Sequence, residues 1–266
     1  MKNLDYRTKY GLIYFLILFF TSNIEAQSAS NLSNQSKEIS IQLLYGRTPA
    51  LDFERNYPVL QPGKGDAVSD GSALFALCAN FSKTVRKNLM WDIGLETGLN
   101  SYQLRVIADE EFLDLGWEQP YVSELTFYDV LYSSAILSFR YNIPLTQKNL
   151  IFLKAGVRTS FFLPIVADIQ FRASPQPNQS FNIFSTTVQY NEKNNVIISP
   201  NLSVGYSHKL PESKISLNTV INTSFSRKEI LAGNYRINGD QETLEGRLSK
   251  KMMLLTLGVG VSYSFQ

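Results

Sequence analysis

Five charged residues stand out for where they fall. Asp92, Glu96, Arg140, Lys154 and Arg158 each occupy a between-position in a stretch where every second residue is large and apolar. Counted from the nearest short turns, Asp92 and Lys154 lie at similar heights, and so do Glu96 and Arg158, while Arg140 sits near a turn. A lone buried charge is costly, so charges in such positions are expected to neutralise one another. The expectation is an internal ion-pair network among these five residues. It would act as a structural plug or, if it relayed charge, as a proton or ion path; the plug is the preferred role.

The rest of the reactive inventory is thin. The single cysteine, Cys78, permits no intrachain disulfide and reads as a small buried residue on a strand face. Acyl transfer and proteolysis ordinarily need a nucleophile beside a histidine base. The only histidine, His208, abuts a short turn and is expected to face lipid or the interface, away from any such nucleophile. Asp109, Glu110 and Glu111, followed by Asp114, Glu118 and Glu124, could bind a cation or divide acid and base roles, but read first as a solvated acidic loop. No glycine-rich phosphate loop, Cys/His cluster or nucleic-acid motif is present. No catalytic residue, metal, cofactor or nucleic-acid partner is therefore expected. The last long connection is basic, and its root, Arg227, Lys228, Lys250 and Lys251, is expected to touch phosphates of surface lipid.

The elements that would position these residues are strands. From Met253 the chain ends on alternating Met253, Leu255, Leu257, Val259, Val261, Tyr263 and Phe265, with Thr256, Gly258, Gly260, Ser262 and Ser264 between them. That period of two, with one greasy face and one small polar face, suits a lipid-facing barrel wall. Seven more stretches alternate in the same way: Ile39 to Gly46, Ser72 to Phe81, Leu89 to Asn100, about Phe127 to Tyr141, Ile151 to Phe161, Val196 to His208, and Ile215 to Phe225. Short turns at Lys83 to Asn88, Asn142 to Asn149 and Lys209 to Lys214 alternate with long connections at Arg47 to Gly71, around the acidic loop, at Leu163 to Asn195 and at Arg227 to Lys250. The flanks of the Leu163 to Asn195 connection, Ile165 to Phe171 and Phe181 to Tyr190, have strand-like content and could extend that hairpin beyond the membrane. The last connection contains Asn238-Gly239, a strong hairpin signal, and is expected to project as a ribbon.

Composition excludes little, with a net charge of +2 and 44% hydrophobic residues. The N-terminus says more. Lys2, Arg7 and Lys9 precede the apolar run Gly11 to Phe20 and a small-residue exit at Ala26, the plan of a secretory signal peptide over 1–26. The run is too short for a spanning helix. A polar lead-in at 27–37 is expected to be flexible, and a barrel domain to occupy 38–266.

The expected fold is all-β: an eight-stranded antiparallel up-and-down transmembrane barrel with long outward loops, its even strand count placing both termini in the periplasm. A soluble eight-stranded barrel would be apolar inside, whereas here the small face is Gly, Ser, Asn and charge. The exit Ala26-Gln27, Arg140 to Leu145 (RYNIPL), Ile198 to Leu210 (ISPNLSVGYSHKL), the Asn238-Gly239 hairpin and the Leu257 to Phe265 ending (LGVGVSYSF) resemble the PorT-like outer-membrane β-barrel proteins of Bacteroidetes. The resemblance covers nearly the whole mature chain and implies location and fold. It carries no catalytic signature, and some relatives are associated with that phylum's secretion machinery. The expected function is non-enzymatic: a barrel in the bacterial outer membrane anchors loops that bind a surface or secretion-machinery partner, or lipid. The alternatives are a narrow porin-like solute or ion channel and a membrane-embedded lipid-modifying or proteolytic enzyme.

Overall fold

In a computed structural model of the chain the described residues are 36–57, 64–116, 119–163, 166–176, 179–190 and 196–265. The signal segment expected at 1–26 and most of the polar lead-in lie outside them. The strands are β1 Lys37–Arg47, β2 Asp52–Arg55, β3 Gly65–Val68, β4 Gly71–Arg86, β5 Leu89–Ala108, β6 Tyr121–Val122, β7 Thr126–Tyr128, β8 Leu131–Pro144, β9 Asn149–Phe162, β10 Val166–Gln176, β11 Gln179–Tyr190, β12 Val196–Lys209, β13 Ile215–Asn238 and β14 Thr243–Phe265. One short helix, α1, spans Glu110–Leu113. Lys37, placed in the flexible lead-in by sequence, is already paired in β1 with Phe265.

Eight strands close a ring in the order β1-β4-β5-β8-β9-β12-β13-β14-β1, every pairing antiparallel. The register gives the stagger. Following partners from Phe162 through Tyr132, Gly98, Ala76, Leu44, Gly258, Val220 and Gly205 leads back to β9 at Phe152, ten residues from the start. Ten residues of rise set against eight strand spacings give a strand tilt of about 40° and a backbone radius of about 8 Å. A ring of that width is filled by its own side chains.

The lipid-facing surface is continuous and apolar. Leu43, Leu77, Leu95, Val157, Leu202, Ile221 and Leu257 are all exposed on the outside of the ring. Along β14 the outward apolar run goes from Met253 to Tyr263, ten steps, which at about 3.3 Å per residue and about 40° of tilt covers about 25 Å of height. That equals the apolar band of a membrane-spanning barrel. Aromatic pairs border it, with Phe81 and Trp91 5.6 Å apart at the tight-turn end. Among the described residues no helix is long and apolar enough to cross a membrane.

Beyond this band the strands do not stop. β5, β13 and β14 continue as one body, and the side that faces inward changes character on each. Within the band β5 points Asp92, Gly94, Glu96 and Gly98 inward; further on it points Tyr102, Leu104, Val106 and Ala108 inward, all of them buried. On β14 the inward side reads Ser262, Gly260, Gly258 and Thr256, then Leu254, Met252, Lys250, Leu248 and Leu244. Its outward side reads Leu257, Leu255 and Met253, then Lys251, Arg247 and Glu245. The polarity inverts at Lys251–Met253, where lipid gives way to water as the surrounding solvent.

The long connections carry strands of their own: two where the sequence has strand-like content or a hairpin signal, the Leu163 to Asn195 connection and the last ribbon, and two, after β1 and around the acidic stretch, that read as loops. β11 pairs with the far half of β13, β10 with β11, and β2 with the far half of β14, so a five-stranded sheet β10-β11-β13-β14-β2 stands above the ring. β3, β6 and β7 pair with the far half of β5 on the other side. Between them lies an apolar core of Leu104, Val106, Leu113, Ile183, Phe184, Leu231, Tyr235, Ile237 and Leu248. The acidic stretch is corrected as well: Glu110 and Glu111 begin α1, which sends Phe112 and Leu113 into that core. The fourth strand is broken, as β7 and β8, and the ribbon at Asn238-Gly239 is the hairpin between β13 and β14.

Candidate functional site

Two places carry polar chemistry, the ring's interior and the extension above it. In the interior β5 and β9 present matched sequences on their inward faces, Asp92-x-Gly94-x-Glu96 and Lys154-x-Gly156-x-Arg158, with β8 between the two strands. Lys154 Nζ lies 2.6 Å from Asp92 Oδ2. One level up, Arg158 engages both oxygens of Glu96, with Nη2 2.9 Å from Oε2. Each carboxylate–cation pair is a rung across the lumen, the rungs four residues apart. The glycines between them leave room: a Cβ added at Gly156 would sit 2.1 Å from the Leu137 carbonyl oxygen.

The upper rung is the better satisfied. Tyr132 Oη donates to Glu96 Oε1 at 2.7 Å, and Arg158 Nε donates to Asn201 Oδ1 at 3.2 Å. Charge-assisted, bidentate contacts of this kind are the strong ones, and with both side chains almost wholly buried they are little screened. Arg140 does not join the ladder as the sequence reading expected. It turns towards the tight-turn end, pairs with Glu38 of β1 at 2.9 Å, receives support from Asn142 at 2.8 Å and lies over the Phe152 ring at 4.5 Å. Arg140 and Lys154 are register partners on β8 and β9, and Lys154 already holds Asp92, so the second cation turns to the carboxylate of Glu38. Glu38 escaped the sequence reading because it precedes the first clear alternation.

Around the rungs the lumen is packed. A cavity at the rungs, bordered by Gln42, Asn80, Glu96, Lys154, Arg158 and Asn201, measures about 20 Å³, room for one water. Apolar side chains close it above and below, Leu44, Leu74, Phe162, Ile197 and Leu254 towards the extension and Phe152 towards the turns.

The four basic residues expected at lipid phosphates divide. Arg227 and Lys228 are exposed at the β-bulge of β13 where the apolar band ends. Lys251 is exposed and lies 3.0 Å from Asp52. Lys250 corrects the expectation: it points inward, is fully buried, and donates to Thr48 Oγ1 at 3.1 Å, the Pro49 carbonyl at 2.6 Å and the Ser101 carbonyl at 3.4 Å. It fastens the chain after β1, and β5 at Ser101, to β14. Alternation alone makes neighbouring lysines face opposite ways, which was the signal available. Just outside the band, its amine is pushed down to about 7 by burial, against a weaker pull upward from Asp52.

Within the extension, Arg55 grips Asp66 with Nε 2.7 Å from Oδ1 and Nη2 3.2 Å from Oδ2. Tyr57 donates to the same carboxylate at 3.2 Å and lies 3.0 Å from Tyr235 Oη. Burial, then the contact with Tyr235, raises Tyr57 well above the ordinary phenol range, so it stays a donor. This cluster ties β2, β3 and β13 together, and nothing in the strand periodicity announced it. His208 sits by the tight turn with Nδ1 2.7 Å from Asn149 Oδ1. Among the described residues no group of three His, Cys, Asp or Glu is arranged to hold a metal.

A closed antiparallel ring, apolar towards its surroundings over the height of a bilayer core and plugged by ion pairs, is a transmembrane β-barrel; this one carries a folded extension at one end. Similar solved structures include outer membrane protein OprG from Pseudomonas aeruginosa, at 12% identity over 87% of this chain and 96% of that one, with a TM-score of 0.45. Neisserial surface protein A is similar at 10% identity over 88% and 100%, TM-score 0.42, and outer membrane protein AlkL at 15% over 90% and 94%, TM-score 0.38. No protein-family model and no curated protein matches the sequence.

Proposed function

We propose that the protein is a non-enzymatic barrel of the bacterial outer membrane whose plugged ring serves as an anchor and whose folded extension is a binding surface on the cell exterior. The observation that carries this is the contrast between the two halves: a lumen packed around buried ion pairs, with a cavity of about 20 Å³ at the rungs, and above it a cored, multi-stranded body built from all four long connections. A lumen packed in this way gives no support to solute passage. The short turns and both chain ends of the ring share one end, which this reading places in the periplasm. The resemblance to PorT-like proteins supports secretion machinery as one class of partner, beside surface proteins and lipid.

The test has two arms. Purified protein in planar bilayers is expected to give no stepwise conductance. A photo-crosslinking amino acid at Gln189, on the extension, is expected to give a discrete adduct in intact cells, whereas one at Val259, on the lipid-facing wall, should trap only phospholipid. Stepwise conductance, or the absence of any adduct at Gln189, would overturn the reading.

A further inference from the structure

The outward face of the five-stranded sheet is not flat. It is hollowed into a cleft of about 830 Å³ that runs from β10 across to the edge strand β2, a size in the range of small-ligand sites. The register lays its side chains out in rows across the strands. One row runs Asp168, Thr187, Asn234, Arg247 and Glu54; the next carries Arg236 and Glu245.

Three properties of this cleft narrow the occupant. Its lining carries two cations, Arg236 and Arg247, against three carboxylates, Glu54, Asp168 and Glu245, with Arg236 2.7 Å from Glu245 and Arg247 3.5 Å from Glu54. A polyanion or a nucleic acid would find little net positive charge to bind. The large apolar side chains beneath it, Ile169 and Tyr235, are buried on the other side of the sheet, so the cleft lacks the aromatic or aliphatic anchor a protein partner would use. What remains on offer is planar amide, carboxylate and guanidinium groups, and a hydroxyl, with Asn234 and Gln189 exposed in it. Such groups match the vicinal hydroxyls of a sugar, and positions within one row repeat at the strand spacing of about 4.8 Å, close to the repeat of a pyranose chain.

Position supplies the source. The cleft faces sideways, on the same side of β14 as Leu255 and Leu257, and only four residues separate Arg247 from Lys251 at the edge of the apolar band. Exposed Arg227 and Lys228 stand at that edge. We propose that the cleft binds the oligosaccharide head of a glycolipid in the same leaflet, with sugars in the rows and the phosphate of the head group against Arg227 and Lys228. This rests on the reading of the extension as a binding surface and gives it a ligand class.

The experiment uses the full-length folded protein in two arms, with lipooligosaccharide from the host strain as the probe. In the first, protein in nanodiscs is titrated with the oligosaccharide released from that lipooligosaccharide by mild acid. In the second, protein is reconstituted into phosphatidylethanolamine/phosphatidylglycerol vesicles with or without the intact glycolipid, and its retention by the protein is measured. Saturable binding in both arms, weakened at least tenfold by Asn234→Leu and by Arg236→Ala/Glu245→Ala but not by Lys83→Ala at the opposite end, is the expected result. Arg227→Ala/Lys228→Ala should weaken only the intact glycolipid. Each variant must keep the mobility difference between heated and unheated samples; Thr187→Val provides a second cleft probe should one fail to fold. No binding in either arm, or binding that survives every cleft variant, overturns the proposal. A protein-only adduct at Gln189 with no glycan binding would overturn it while leaving the display function standing.

Discussion

Cutting the upper rung tests the physics of the whole ring. Glu96 and Arg158 are among the most buried charged groups in the chain, and each is the other's principal counter-charge. Removing one charge leaves its partner unpaired beside a cavity with room for one water, a cost of about 3–5 kcal/mol. Glu96→Gln and Arg158→Gln should each therefore destabilise the barrel by roughly that amount. The double variant leaves two neutral amides able to bond each other, Tyr132 and Asn201, so it should lose less than the sum, with a coupling energy of about 2 kcal/mol or more. The assay is urea unfolding in phospholipid vesicles, followed by the mobility difference between heated and unheated samples. Additive losses, or single variants as stable as the parent, would refute the assignment of Glu96–Arg158 as a rung and leave the lumen held by packing alone. Asp92→Asn with Lys154→Gln offers an internal comparison. That rung has a single short contact and no tyrosine or asparagine support, so its coupling should be smaller.

Three further outcomes follow from named residues. Lys250→Met removes a donor from Thr48, Pro49 and Ser101 and should loosen the 48–51 segment by about 1–3 kcal/mol, read as faster hydrogen exchange there. In the parent, the buried amine has a folded pKa of about 7 against an ordinary 10.5, so between those values the open state holds a proton that the closed state lacks. Closure therefore strengthens as pH rises from 7 to 10.5, by up to about 1.4 kcal/mol per unit, and is weakest below 7; Lys250→Met should abolish that slope. Leu257→Arg, near the middle of the outward run of β14, should cost about 2–4 kcal/mol in vesicles, whereas Thr243→Arg, exposed on the same side of the strand beyond Lys251, should cost under 1 kcal/mol. Gly156→Val should block folding of the ring, seen as loss of the heat-dependent mobility shift, because its side chain would strike the Leu137 carbonyl.

The ring was legible because lipid imposes a strict rule. A period of two with the apolar side outward cannot be mistaken over Leu89 to Leu99 or Met253 to Phe265, and short turns separate such runs in the expected order. The extension was legible only in the flanks of the Leu163 to Asn195 connection and the ribbon at Asn238-Gly239, and the rest was hidden for the same reason turned around. After Asn100, β5 continues to alternate, as Tyr102, Leu104 and Val106 against Gln103 and Arg105, but the apolar set has moved to the other side of the strand. A reading that follows one face loses the strand at the flip and calls the rest a connection. Asp92, Glu96, Lys154 and Arg158 could be placed because they interrupt a regular face. The partner of Arg140 could not, since Glu38 lies across the ring and three strands away in pairing order. Lys250 and Lys251 show the limit of reasoning from residue type: two adjacent lysines, one an internal fastener and one in solvent.

The rungs also constrain how the barrel is assembled. Their cations sit on β9 and their carboxylates on β5, with only β8 between. If β9 entered hydrocarbon alone it would carry Lys154 and Arg158 with no counter-charge, at a cost of about 2.5–3.5 kcal/mol for each. If β5 went first, Asp92 and Glu96 would face the same problem. The path of lowest cost brings β5, β8 and β9 together in water or against an insertion catalyst before any of them is committed to the bilayer. Charge placed for permanence in the finished barrel thus dictates the order of events that makes it.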